Sequence, residues 1–241
     1  MTALVMVLIG IHVVRALLPS TLDLQAIWLF GFIPARYDSG VFHGQFPGGI
    51  GANIWTFVTY ALLHADMSHI GFNILWFLPF GSAVARRFGP LRFFLFMAVT
   101  AIAGAAAHLL THAGEVAPMI GASAAVSGAM AAAIRFAFAR GSFLSFRRRN
   151  ADADTAAQVP ALPLWRSLQN PRVLGFLAVW FGINIIFGMG SIAIGAPAQS
   201  IAWQAHIGGF AAGLLLFSLF DPVARDNGET VPAPLDVSDR G

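Results

Sequence analysis

Residues 121–132 read GASAAVSGAMAA, a run of glycine and alanine broken by two serines, Ser123 and Ser127. Small residues at this density let helix backbones approach closely inside a membrane. A serine at the start of such a helix can also be a nucleophile. The remainder of the chain bears on which reading holds.

Of the 241 residues, 57% are hydrophobic and 10% charged, with a mean hydropathy of +0.73. Soluble domains carry roughly a quarter charged residues, so this composition predicts an all-α membrane protein. All 14 basic residues are arginines, and they cluster in loops; no basic stripe interleaved with aromatics argues for nucleic acid. The absence of cysteine removes disulfides, thiol nucleophiles and thiolate metal ligands.

Six apolar runs of membrane-spanning character follow: about Ala3–Leu18, Met67–Val84, Leu91–Leu110, Ile120–Ala139, Val173–Met189 and Ile201–Phe220. Arg86, Arg87 and Arg92 fall between the second and third. Arg135, Arg140, Arg147, Arg148, Arg149, Arg166 and Arg172 flank or fill the connection at about 141–171, and Arg225 and Arg240 lie in the tail. The positive-inside bias then places both termini in the cytoplasm and the segment at about 19–65 outside. That segment is long enough to be a structured, partly interfacial loop. Residues 1–220 form the expected membrane domain, and the polar stretch 221–241 a flexible tail.

Polar residues inside spans are costly and mark partners or cavities. The second run holds HADMSHIGFN, with His64 and Asp66 as surface caps and His69 and Asn73 one turn apart on one face. The fourth holds Gly121, Ser123, Ser127 and Gly128. The sixth holds AHIGGFAAG, with His206 and the small-residue pair Gly209 and Gly213 for close helix packing. Ser123 and His206 fall at similar depth if these helices touch, and a histidine within reach activates a serine hydroxyl. The Ser123 backbone N–H, His69 and Asn73 are donors of the type an oxyanion needs. Metal or cofactor binding by His108 and His112, with Glu115 following, is the rival class; their place beside Thr111 and Gly114 favours a solvated helix end. A third possibility is a non-catalytic protein that binds transmembrane helices.

GASAAVSG, HIGFN and AHIGGFAAG, in these spans, resemble the rhomboid intramembrane serine proteases over roughly Trp55 to Phe220. The resemblance implies a six-helix bundle with a water-filled cavity open to the outside, in a prokaryotic plasma membrane. It assigns Ser123 as nucleophile, His206 as base, and His69 and Asn73 to the oxyanion. Its reaction needs no metal or cofactor. It implies transmembrane protein substrates with small residues at the cut, and entry beside the fifth helix, where FGINIIFGMG is glycine-rich. Two positions depart from the family: Ala124 stands for a common glycine, and Ser127 for an aromatic residue. The first external loop also lacks the Trp-Arg pair of some members, with PARYDSG in that region. Ser127, one turn from Ser123, is therefore expected to orient His206, directly or through a water, by hydrogen bonding in place of ring packing.

Overall fold

A computed structural model of the protein describes residues 1–38, 40, 46–138, 157–193 and 202–223. The described residues contain no strand, and one isolated antiparallel bridge joins Phe32 to Met119. The chain begins with α1 (Thr2–Leu17) and α2 (Ser20–Phe30), followed by a short 3-10 turn at Pro34–Tyr37. Next come α3 (Gly49–Thr59) and a second 3-10 turn, Tyr60–Leu62. Four helices then follow in order: α4 (Met67–Phe88), α5 (Pro90–Thr111), α6 (Ser123–Ala137) and α7 (Leu164–Gln169). The last two are α8 (Pro171–Ala193) and α9 (Trp203–Phe220).

Local chemistry sets several of these boundaries. Asp66 caps α4 by accepting the His69 N–H at 2.8 Å, the preferred use of an acidic N-cap. Gly89, at φ +73°, ends α4, and Pro90 opens α5 at a position where a missing N–H costs nothing.

The six apolar runs fall on the helices α1, α4, α5, α6, α8 and α9. Of these, α5 and α9 are each long and apolar enough to cross a bilayer on length and composition alone. Helix α6 is shorter than expected, because the chain turns into it only at Ser123.

Helix α6 is the centre of the bundle, and every residue from Ala124 to Ala137 is buried. Its small side chains allow neighbouring backbones to close on it. A Cβ placed on Gly209 would lie 2.1 Å from the Ala124 carbonyl oxygen, and one on Gly213 would lie 2.3 Å from that of Gly128. On the α5 side, a Cβ on Gly128 would meet Thr100 Cγ2 at 2.5 Å, and one on Gly104 would meet the Ala124 methyl at 2.4 Å. Gly104 thus makes the room that Ala124 needs. The outward faces of the helices remain apolar, with Leu110, Leu219, Ile186 and Leu75 all well exposed, as lipid contact requires.

The described parts of the 19–65 segment fold over one end of this bundle. Phe32 and Met119 exchange backbone hydrogen bonds at 3.0 and 2.7 Å, and the Tyr60 carbonyl accepts the Gly121 N–H at 3.0 Å. The Tyr60 hydroxyl donates to the Ala101 carbonyl at 2.9 Å. Phe32 packs among Tyr37, Phe57 and Tyr60. These contacts hold residues 119–121, the approach to Ser123.

At the opposite end, two of the arginines counted as loop charges, Arg87 and Arg135, prove to be buried, while Arg86, Arg92, Arg166 and Arg172 are exposed. Arg87 binds both carboxylate oxygens of Asp221 at 2.8 and 2.9 Å, donates to the carbonyls of Ala157 and Val159, and lies over Phe136 and Phe217. Arg135 donates to the Leu162 carbonyl at 3.0 Å. Arg140, Arg147, Arg148, Arg149, Arg225 and Arg240 lie outside the described residues.

Candidate active site

Ser123 is the first residue of α6, reached through Gly121 at φ +125°. Any side chain at 121 would be strained there, and its Cβ would also stand 2.6 Å from His69 Nε2. The N-cap, Ala122, has no side chain that can cap. The first N–H groups of α6 are therefore left without the partner a Ser or Asp would supply.

His206 lies in the first turn of α9 and brings Nε2 to 2.7 Å from Ser123 Oγ. The glycine seam described above makes this possible, since Gly209 sits one turn further along α9 against Ala124. The other ring nitrogen, Nδ1, is 2.6 Å from Oδ1 of Asn184 on α8. Asn184, and not Ser127, is thus the direct partner of that nitrogen, and Ser127 is buried on α6. The stripe of α6 that meets α9 runs through Ala124 and Gly128, which leaves Ser127 on its flank. Sequence reasoning missed Asn184, although it is the one amide in the apolar run 173–189 and polar residues in such runs are presumptive site residues.

His69 faces Ser123 across Gly121. Its Nδ1 accepts the Ala65 N–H at 3.4 Å, which leaves the proton of the neutral ring on Nε2, toward Gly121. Asn73 stands one turn behind, donating Nδ2 to the His69 carbonyl at 2.9 Å, and does not line the cavity. His64 is not the surface cap that was expected. It is 1% exposed, and its Nε2 accepts the Ala122 N–H at 3.4 Å, next to Ser123. Burial, then the neighbouring His69, His12 and Arg15, push the His64 pKa down to about 3, so the ring is neutral and able to accept. The Arg15 guanidinium in turn holds the His64 carbonyl at 2.8 Å.

Of these groups, His69, Gly121, Ser123 and His206 line a cavity of about 340 Å³. His108 and Glu115 lie on the same wall; His108, in the last turn of α5, is buried at 6% exposure, whereas His112 and Glu115 are partly exposed as a solvated helix end requires. Its ring stacks on His112 at 4.3 Å, and the ligating atoms of His108, His112 and Glu115 lie within 4.8 Å of one another. The arrangement thus offers a serine hydroxyl paired with an imidazole, a second imidazole and free helix N–H groups aimed at one space. That is the equipment of acyl transfer.

A family model described as the rhomboid domain matches residues 51–221. The chain is 28% identical over 165 residues to the rhomboid protease GlpG of Enterobacter sp. (strain 638), an alignment covering 68% of this chain and 48% of that protein. It is 33% identical over 54 residues to GlpG of Haemophilus influenzae, covering 22% of this chain and 28% of the relative. The putative rhomboid protease YdcA of Bacillus subtilis is 34% identical over 95 residues, covering 34% and 44% respectively. The chain spans about half the length, or less, of the curated relatives it matches.

Proposed function

The chain belongs to the rhomboid family, and on that premise we propose that it is an intramembrane serine protease cutting peptide bonds in or beside the transmembrane segments of other membrane proteins. The observation that carries this is the 2.7 Å approach of His206 Nε2 to Ser123 Oγ on the cavity wall. Ser123 Oγ attacks the scissile carbonyl carbon as its proton passes to His206 Nε2. The negative charge that develops on the carbonyl oxygen is received by His69 Nε2–H and the Ser123 backbone N–H, with Asn73 supporting His69 from behind. His206 then gives its proton to the leaving amine, and a water, deprotonated by the same nitrogen, releases the acyl group and restores the serine.

The membrane domain in this reading is residues 1–220, crossing the bilayer six times through α1, α4, α5, α6, α8 and α9. Both termini face the cytoplasm of a prokaryotic cell, the 19–65 segment lies outside and 221–241 is a tail. The apolar outer faces of the helices, and the exposed Arg86, Arg92, Arg166 and Arg172 at the end away from Ser123, support this placement.

The test is cleavage of a reporter transmembrane peptide by the purified protein in detergent. Wild type should cut and become labelled at Ser123 by a fluorophosphonate. Ser123→Ala and His206→Ala should each be inactive, and the double variant little worse than either. Turnover by Ser123→Ala at the wild-type rate would defeat the proposal.

A further inference from the structure

Asn184 occupies a place that the two-residue reading leaves vacant. It is 7% exposed, on the face of α8 that meets α9. Its Nδ2 donates to the carbonyl of Trp180, one turn back, at 2.8 Å. A carbonyl oxygen can only accept, so the amide orientation is fixed: nitrogen toward Trp180, oxygen toward His206. That oxygen lies 2.6 Å from Nδ1 and can also only accept, so Nδ1 must carry the ring proton. Nε2 is then bare, and it is Nε2 that faces the Ser123 hydroxyl. The register of the two helices is held independently by Trp180, whose indole stacks on Phe210 at 4.4 Å, one turn beyond His206.

Resting on the Ser123–His206 reading above, we propose that Asn184 is a positioning residue that completes a Ser–His–Asn triad by locking His206 in the tautomer and orientation a general base needs. It fills the orienting role that the sequence suggested for Ser127. A neutral amide does this without leaving an additional charge to be compensated inside a membrane domain. Asn184 touches neither substrate nor the reacting atoms, and it acts through the ring it holds.

The prediction is tested on the full chain in detergent with Asn184→Leu, which keeps the branched shape and loses the acceptor, and Asn184→Asp, which keeps an acceptor. Asn184→Leu should lower kcat by about 10- to 100-fold, with KM changed by no more than about twofold, because orientation of the base matters to the transition state and not to substrate binding. Its labelling by fluorophosphonate should slow in parallel. Asn184→Asp should recover most of the loss. Nitrogen-15 histidine spectra should give a proton on His206 Nδ1 in wild type, a signal identified by its absence in His206→Ala. Wild-type kcat in Asn184→Leu, alongside an inactive Ser123→Ala, would overturn the positioning role and leave the dyad standing. An active Ser123→Ala would overturn both. If Asn184→Leu fails to fold, the spectra of wild type decide: a proton on Nε2 of His206 overturns the proposal, and one on Nδ1 supports it.

Discussion

Replacing Gly209 by alanine probes what sets the distance between Ser123 and His206. The new methyl carbon would start 2.1 Å from the Ala124 carbonyl oxygen and 2.7 Å from its carbon, both backbone atoms of a fully buried helix. No flexible side-chain end is available to move aside. Restoring an ordinary contact of about 3.5 Å requires α9 to withdraw from α6 by about 1.4 Å at this turn. His206 is three residues away on the same helix, so its Nε2 is carried from 2.7 Å to beyond hydrogen-bond reach of Ser123 Oγ. Misplacement by about 1 Å can cost about 100-fold in rate, and overpacking costs about 1–3 kcal/mol in stability. Gly213→Ala is the control, because its methyl would start 2.3 Å from the Gly128 carbonyl oxygen, one turn further from the site. Both variants should melt earlier, but Gly209→Ala should lose about 100-fold in kcat and Gly213→Ala much less. The assay is cleavage of the reporter peptide together with thermal unfolding in the same detergent. A Gly209→Ala protein that is destabilised yet turns over at the wild-type rate would show that the seam does not align the pair.

His69→Ala should reduce kcat by about 100- to 1,000-fold as an oxyanion donor is lost, whereas Asn73→Ala, which removes support and not the donor, should cost less; equal losses would restore Asn73 to direct contact with the oxyanion. His64 has an ordinary pKa of 6.5 and a folded value of about 3, so its contribution to stability is complete above about pH 6.5 and declines as pH falls toward 3, where the unfolded chain binds the extra proton. Melting curves in detergent between pH 3 and 7 should show this slope flattened in His64→Gln, and an unchanged slope would contradict the assignment. Asp221→Ala strands the Arg87 charge at a site where the two side chains are 0% and 5% exposed, and should cost about 3–5 kcal/mol. The per-molecule activity of the folded fraction should be retained, since the pair lies at the far end of the bundle.

The two ends of the proposed chemistry were legible because each sits in a short local pattern. Gly121-Ala-Ser123 marks a turn into a small-residue helix, and His206 followed by Gly209 and Gly213 marks a helix that can pack against it. What was not legible lies in side chains reaching across the fold. Asn184 meets a histidine 22 positions away, and its meaning depends on the rotation of α8, which a uniformly apolar helix does not encode. The glycines of FGINIIFGMG draw attention to substrate entry, although the asparagine among them is the stronger signal. His64 reads as polar and near a helix start, hence as a surface residue. Arg15 of α1 holds its carbonyl, the His69 ring meets it edge-on and the Ala122 N–H donates to it, so it ends among the most buried side chains. Ser127 misled for a simpler reason: a position one turn from Ser123 need not share its neighbour when the contact stripe runs through 124 and 128.

The uncapped start of α6 bears on how this protein could be improved. A Ser or Asp at the N-cap in place of Ala122 would ordinarily add about 0.5–2 kcal/mol to a helix, and a search for thermostable variants would favour it. Here the same side chain would compete for the first N–H groups of α6, at Ser123 on the cavity wall, and an acidic one would set a permanent anion where the proposed reaction forms a transient one. Position 122 is therefore a point at which selection for robustness and selection for turnover diverge. Libraries screened on melting temperature alone should drift toward folded, inert proteins at this residue, while residues on the lipid-facing side of the bundle remain free to change without that conflict.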